Sequence, residues 1–97
     1  MRIIAKVKLL GYLRTRFGLN EIEIAIEDEE SLMNFLDKLV NLYPEFQTII
    51  KNITEYSGEY LVLINGIDIN VYGDISKVKI RNSDEIIFLP IVHGGIQ

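Results

Sequence analysis

Asn65-Gly66 stands between two apolar runs, Tyr60 to Ile64 and Ile67 to Val71. The tightest hairpin turns need positive φ at both central positions, which asparagine and glycine tolerate and branched residues do not. The spacing therefore predicts two antiparallel strands joined by two residues. Any fold for this chain has to seat that hairpin in a sheet. The amino-terminal third supplies more sheet. Ile3, Ala5, Val7 and Leu9 alternate with Ile4, Lys6 and Lys8, while Ile22, Ile24 and Ile26 alternate with Glu21, Glu23 and Glu27. Period two with charges on one parity reads as two half-buried strands, close enough in sequence to pair antiparallel. Between them, Gly11 to Gly18 reads as a turn region in which Tyr12 and Phe17 are core or loop anchors.

After the second strand the period changes. Leu32, Phe35, Leu36, Leu39 and Tyr43 recur at helical spacing. Ser31 is placed to cap that helix, the acidic run Glu27 to Glu30 reads as its solvated, dipole-favoured approach, and Pro44 stops it near Leu42 or Tyr43. Phe46, Ile49, Ile50 and Ile53 suggest a short second helix. Beyond the hairpin, Tyr72 to Arg81 is irregular with Ile80 as a core residue, and Asn82-Ser83-Asp84 is a turn. Glu85 to Leu89 is the last strand, and Pro90 ends its ladder by lacking an N–H. The order strand, strand, helix, strand, strand, strand implies an α+β fold: a mixed sheet of four to five strands, one main helix on one face and a short second helix. The last strand would lie parallel to the first in the sheet centre.

Ninety-seven residues, 48% hydrophobic and 25% charged, make one domain with a real core. We expect a body over 1–90 and a flexible tail over 91–97. With no cysteine, thiol nucleophiles, disulfides and iron–sulfur ligation are excluded. The net charge of -4 argues against nucleic acid as a partner, and the absence of a long apolar run argues against membrane, so a cytoplasmic location is expected. Most enzyme readings fail on inventory. His93 is the only histidine, and it lies in the tail. No His, Asp and Glu cluster has metal-ligand spacing, and no glycine-rich loop opens a helix, so no bound metal or cofactor is expected.

The tail itself is what remains: Pro90-Ile91-Val92-His93-Gly94-Gly95-Ile96-Gln97. A glycine pair passes through slots where any Cβ would clash, and a terminal glycine presents an unhindered carboxylate. On the glycines alone, a frayed terminus is the simpler reading. The segment from Ile91 to Gly95 reaches about 17 Å at full extension. The run Ile86, Ile87, Phe88, Leu89 is apolar on both parities. Ile86 and Phe88 are assigned inward and Ile87 and Leu89 outward, the alternative being that Ile87 is buried in a central strand.

The ordered segments resemble the small β-grasp, ubiquitin-like sulfur carriers: the small subunit of molybdopterin synthase, the thiamin-pathway carrier and the ubiquitin-related modifier. "KVKLLGYLRTRFGL" resembles their first strand and turn, "SLMNFLDKLVNLYPEF" their helix, "LVLINGIDI" their hairpin, and "SDEIIFLPIVHGG" their closing strand and glycine pair. The resemblance implies that Gly95 is the glycine adenylated by an E1-like, ATP-using partner and then converted to a thiocarboxylate, with Gly94 as its slot-passing neighbour. It implies that Leu89 presses onto the activating enzyme, and a co-substrate role in which the catalytic residues belong to partners; with Leu89 and Gly94, we expect Ile87, Pro90, Val92 and His93 to complete the partner interface. Against the thiamin carrier, Tyr43-Pro44 and Leu89-Pro90 favour the molybdopterin-synthase branch, which is the reading adopted and whose large subunit would then be a partner. His93-Gly94-Gly95 is similar to the ubiquitin-related modifier, which serves tRNA thiolation; alone, His93 reads as a solvated tail residue. A β-grasp binding module without carrier chemistry is the reading from another class. Three features depart from the family pattern. Ser83 replaces a glycine, Tyr72 to Lys79 looks like an extension, and Ile96-Gln97 follows the glycines. While that dipeptide remains, Gly95 carries an amide, so a tail-processing protease is expected.

Overall fold

The computed structural model describes residues 3–55 and 58–91. Strand β1 (Ile4–Leu9) pairs antiparallel with β2 (Glu21–Ala25), setting Val7 opposite Ile22 and Lys6 opposite Glu23. The alternation does what its chemistry requires. Ala5, Val7, Leu9, Ile22 and Ile24 are buried on one face, and lysines and glutamates fill the other.

The chain then makes β3 (Glu30–Ser31), α2 (Leu32–Leu42) and α3 (Phe46–Thr54). Ser31 Oγ accepts from the Asn34 amide at 3.1 Å, the expected cap, and α2 ends before Tyr43-Pro44. Leu32, Phe35, Leu36 and Leu39 of α2 and Phe46, Ile49 and Ile53 of α3 are buried in the core. Phe46 meets Phe17 at 4.7 Å and Phe88 at 5.4 Å between ring centroids, so the anchor role read for Phe17 holds.

β4 (Tyr60–Ile64) and β5 (Ile67–Asp68) form the Asn-Gly hairpin, with φ 51 at Asn65 and 84 at Gly66. β7 (Glu85–Pro90) lies antiparallel to β4 and parallel to β1, giving the order β2-β1-β7-β4-β5. The last strand is thus central and parallel to the first, as expected from the sequence.

Several local readings are corrected. Residues 12–17 form a helix, α1 (Tyr12–Phe17), not a turn, and Tyr12 is exposed rather than a core anchor. The second hairpin strand stops at Asp68, because the Asp68 carboxylate accepts from the Asn70 amide at 2.8 Å and turns the chain into a 3₁₀ helix, Ile69–Tyr72. The stretch read as irregular holds another 3₁₀ turn, Ile75–Lys77, and β6 (Lys79–Ile80), which pairs with β3 in a small second sheet. Glu30 is not part of a solvated acidic face: it is buried, and accepts from the Glu27 amide at 2.8 Å, Asn34 Nδ2 at 2.8 Å and Lys38 Nζ at 2.7 Å. Pro90 does not end the ladder. Phe88 turns its carbonyl to Leu10 N on the β1 side at 3.1 Å, and Pro90, two residues on, has the same side. There β1 has already finished, so no bond is lost. Pairing to β4 continues, and the Ile91 amide donates to the Glu59 carbonyl at 3.0 Å.

Candidate functional site: the last strand, its open face and its exit

Helices cover one face of the sheet, and β7 presents Ile86 and Phe88 to it, both fully buried. Ile87 and Leu89 are only half-buried on the opposite face, the inward and outward assignment expected from sequence. The register extends the outward set. Leu63 stands opposite Ile87 and Leu61 opposite Leu89, both half-buried. The open face therefore carries a four-residue apolar block, Leu61, Leu63, Ile87 and Leu89, in the two strands nearest the sheet centre.

Charges border it. Lys8 is the β1 neighbour of Ile87 and pairs with Glu85 at 3.0 Å; Lys6 reaches Glu21 at 3.8 Å. The Glu85 hydrogen bond, helped by that residue's charge, raises the Lys8 ammonium above its ordinary pKa. Asp68 stands opposite Leu63 on the other flank. An apolar centre with a charged rim is the anatomy of a protein-binding surface.

Pro90 and Ile91 leave the sheet at one corner of this face. Gly11, at φ 63, faces the Pro90 ring: a Cβ there would meet Pro90 Cγ at 3.0 Å. Tyr60 is paired across the strand with Pro90, and its hydroxyl lies 3.0 Å from that of Tyr12. Partial burial, then the Tyr12 hydrogen bond, push the Tyr60 phenol up to about 12. Val92, His93, Gly94, Gly95, Ile96 and Gln97 lie outside the described residues. Of the sequence-predicted set, the structure thus places Ile87 and Leu89 on the open face, where Leu61 and Leu63 join them, while Pro90 has the parity of Ile86 and Phe88 and its ring packs over Gly11 at the exit. The leucines were detectable, since "LVLI" is apolar on both parities like "IIFL"; Gly11 carried no such signal.

Among the described residues, no group of three His, Cys, Asp or Glu side chains is placed to hold a metal ion. No helix among them is long and apolar enough to cross a membrane.

The sequence model of the Urm1 (Ubiquitin related modifier) family matches residues 6–95. The chain belongs to the Urm1 family. Its β-grasp fold is shared with solved structures. Small archaeal modifier protein 1 (SAMP1) from Methanosarcina acetivorans is 30% identical, with 98% of this chain and 99% of that one covered at a TM-score of 0.72. SAMP1 from Haloferax volcanii is 22% identical, covering 95% and 99% at a TM-score of 0.74. Urm1 from Sulfolobus solfataricus is 28% identical, covering 89% and 99% at a TM-score of 0.53. No curated protein sequence matches the chain. The Urm1 family is the relative to which His93-Gly94-Gly95 pointed, and the match favours it over the molybdopterin-synthase small subunit expected from sequence.

Proposed function

We propose that this chain is a sulfur carrier of the ubiquitin-related-modifier type, working through Gly95 and serving tRNA thiolation. The observation that carries the reading is the exit at Pro90 and Ile91. These residues leave the central strand beside a half-exposed apolar block that suits a protein partner. The family match ending at Gly95 supports it further.

The chemistry asks only for reach. A protease first hydrolyses the Gly95–Ile96 bond and frees the Gly95 carboxylate. An E1-like partner, docked on Leu61, Leu63, Ile87 and Leu89, holds ATP and receives Pro90, Val92, His93 and Gly94 along its slot. The carboxylate attacks the α-phosphate, pyrophosphate leaves, and a glycyl-adenylate forms. The terminal sulfur of a persulfide attacks its carbonyl and AMP leaves with the electron pair of the broken C–O bond. Reduction of the resulting acyl-disulfide by a thiol leaves the thiocarboxylate. No side chain of this protein acts as acid, base or nucleophile, and ATP is bound by the partner.

The test uses the chain ending at Gly95, the E1-like enzyme of the source cells, ATP and a persulfide donor. Intact-mass spectrometry should find one oxygen exchanged for sulfur. An unchanged mass, with no adenylate, leaves a β-grasp binding module. Copurification decides the acceptor: a tRNA-modifying enzyme supports the proposed role, and a pterin-binding large subunit assigns the chain to molybdopterin synthesis instead. Chains from native cells should end at Gly95; only intact chains would remove the protease step.

A further inference from the structure

We infer that the corner where the tail leaves the sheet is a built joint, which fixes Ile91 as the pivot of the tail and makes Gly11 a positioning residue for activation. This rests on the carrier reading above. Three segments close on residues 90 and 91: the β1–α1 junction, the start of β4 and the end of β7. Pro90 turns its missing N–H toward the side where β1 has ended, and its ring fills the space over Gly11. Ile91 is exposed, yet its amide is held by the Glu59 carbonyl at 3.0 Å. The Tyr12 and Tyr60 hydroxyls, 3.0 Å apart, tie α1 to β4 beside this exit.

Gly11 stands apart from the other positive-φ glycines. An added Cβ at Gly18, Gly58, Gly66 or Gly73 meets nothing within 4 Å, whereas at Gly11 it meets Pro90 Cγ at 3.0 Å and Cδ at 3.4 Å. Its backbone, φ 63 and ψ -144, is also one that L side chains rarely adopt. The absence of a side chain here is what lets the root of the tail lie flat against the body.

The consequence is a ruler. With Ile91 fixed, the span from its Cα to that of Gly95 is at most about 14 Å, not the 17 Å or so available to a tail free from Pro90 onward. A short arm on a fixed base searches less volume, so more of the docked encounters place the carboxylate at the α-phosphate. Docking on the open face belongs to KM; aiming the arm belongs to kcat.

The experiment compares the chain ending at Gly95 with its Gly11→Ala and Ile91→Pro variants. Two readouts are taken: amide hydrogen exchange by NMR, and ATP–pyrophosphate exchange with the E1-like enzyme. The Ile91 amide should exchange about tenfold or more slowly than in an unstructured peptide, and that protection should vanish in Gly11→Ala while the amides of β1 keep theirs. In the same variant kcat should fall by about tenfold with KM within about twofold. Should Gly11→Ala fail to fold, Ile91→Pro removes the donor at an exposed position and should give the same split. An unprotected Ile91 amide in the unsubstituted chain, or unchanged kcat in a folded variant, overturns the inference. If the unsubstituted chain is not adenylated at all, the carrier reading falls, and the Ile91 amide alone decides the joint.

Discussion

Glu30 shows how one carboxylate can hold a corner of the fold. It is 5% exposed and accepts three hydrogen bonds, while Lys38, which donates one of them, also reaches the Ala25 carbonyl at 3.2 Å. Burial alone would push its pKa up; the Lys38, Glu27 amide and Asn34 bonds outweigh it and hold the carboxyl below the usual range. A depressed folded-state pKa contributes stability above the unfolded value, about 4.3, and loses it as the pH falls through the folded value. Glu30→Ala leaves the Lys38 ammonium and two donors without their partner, so it should cost about 2–4 kcal/mol at pH 7. Urea unfolding of both chains from pH 7 to pH 3 should show that gap narrowing in acid; a constant gap would contradict the assignment. Ser83 gives the opposite sign. It sits at φ 70, pinned by its own amide to the Ile4 carbonyl at 2.8 Å. Ser83→Gly relieves the left-handed strain and should stabilise by about 0.5–1 kcal/mol net of glycine's extra unfolded freedom, a rise of a few degrees, about 2–6, in Tm by calorimetry.

The β4–β5 hairpin is stitched to the strand beside it by one side chain. Asn65 Nδ2 donates to Asp84 Oδ1 at 2.9 Å, and Asn65 Oδ1 accepts from the Glu85 amide at 3.0 Å. Asn65→Ala removes both bonds and places alanine at positive φ, so it should cost about 2 kcal/mol, read by thermal melting. Asn65→Gly keeps the turn and loses only the stitches, and should cost about half as much. Elements with a sustained period, like β1 or α2, were legible in the sequence because each buried residue repeats the same signal. What escaped was short. Helix α1 has six residues between glycines, no side-chain cap and a single buried residue, Leu13, so no helical period accumulates. β3 and β6 have two residues each, below any periodicity. The buried role of Glu30 was hidden because its partners lie on α2 and at Glu27, and a run of four acids looks solvated without them.

At the scale of the molecule, the strand order makes the site. Placing the last strand between β1 and β4 buries Ile86 and Phe88 and leaves Ile87 and Leu89 to share the open face with Leu61 and Leu63. Both halves of that block show as doubly apolar runs, "IIFL" and "LVLI"; that they meet on one face needed the register, which no local pattern fixes. Because helices cover only the other face, a charge on the open face leaves the packed core intact. Leu63→Lys should therefore lower stability by no more than about 1 kcal/mol, the usual cost of a half-exposed substitution. Its effect on partner binding should be far larger, because an apolar partner surface strips water from the cation and offers it no charge in return. In the pyrophosphate-exchange assay KM should rise by about tenfold or more with kcat little changed, the mirror image of the Gly11→Ala pattern. Asp68 stands opposite Leu63 and can partly compensate the lysine, so Leu89→Lys, whose neighbour is Leu61, should be the more severe of the two. Equal KM values for both variants and the unsubstituted chain would move the docking surface off this face.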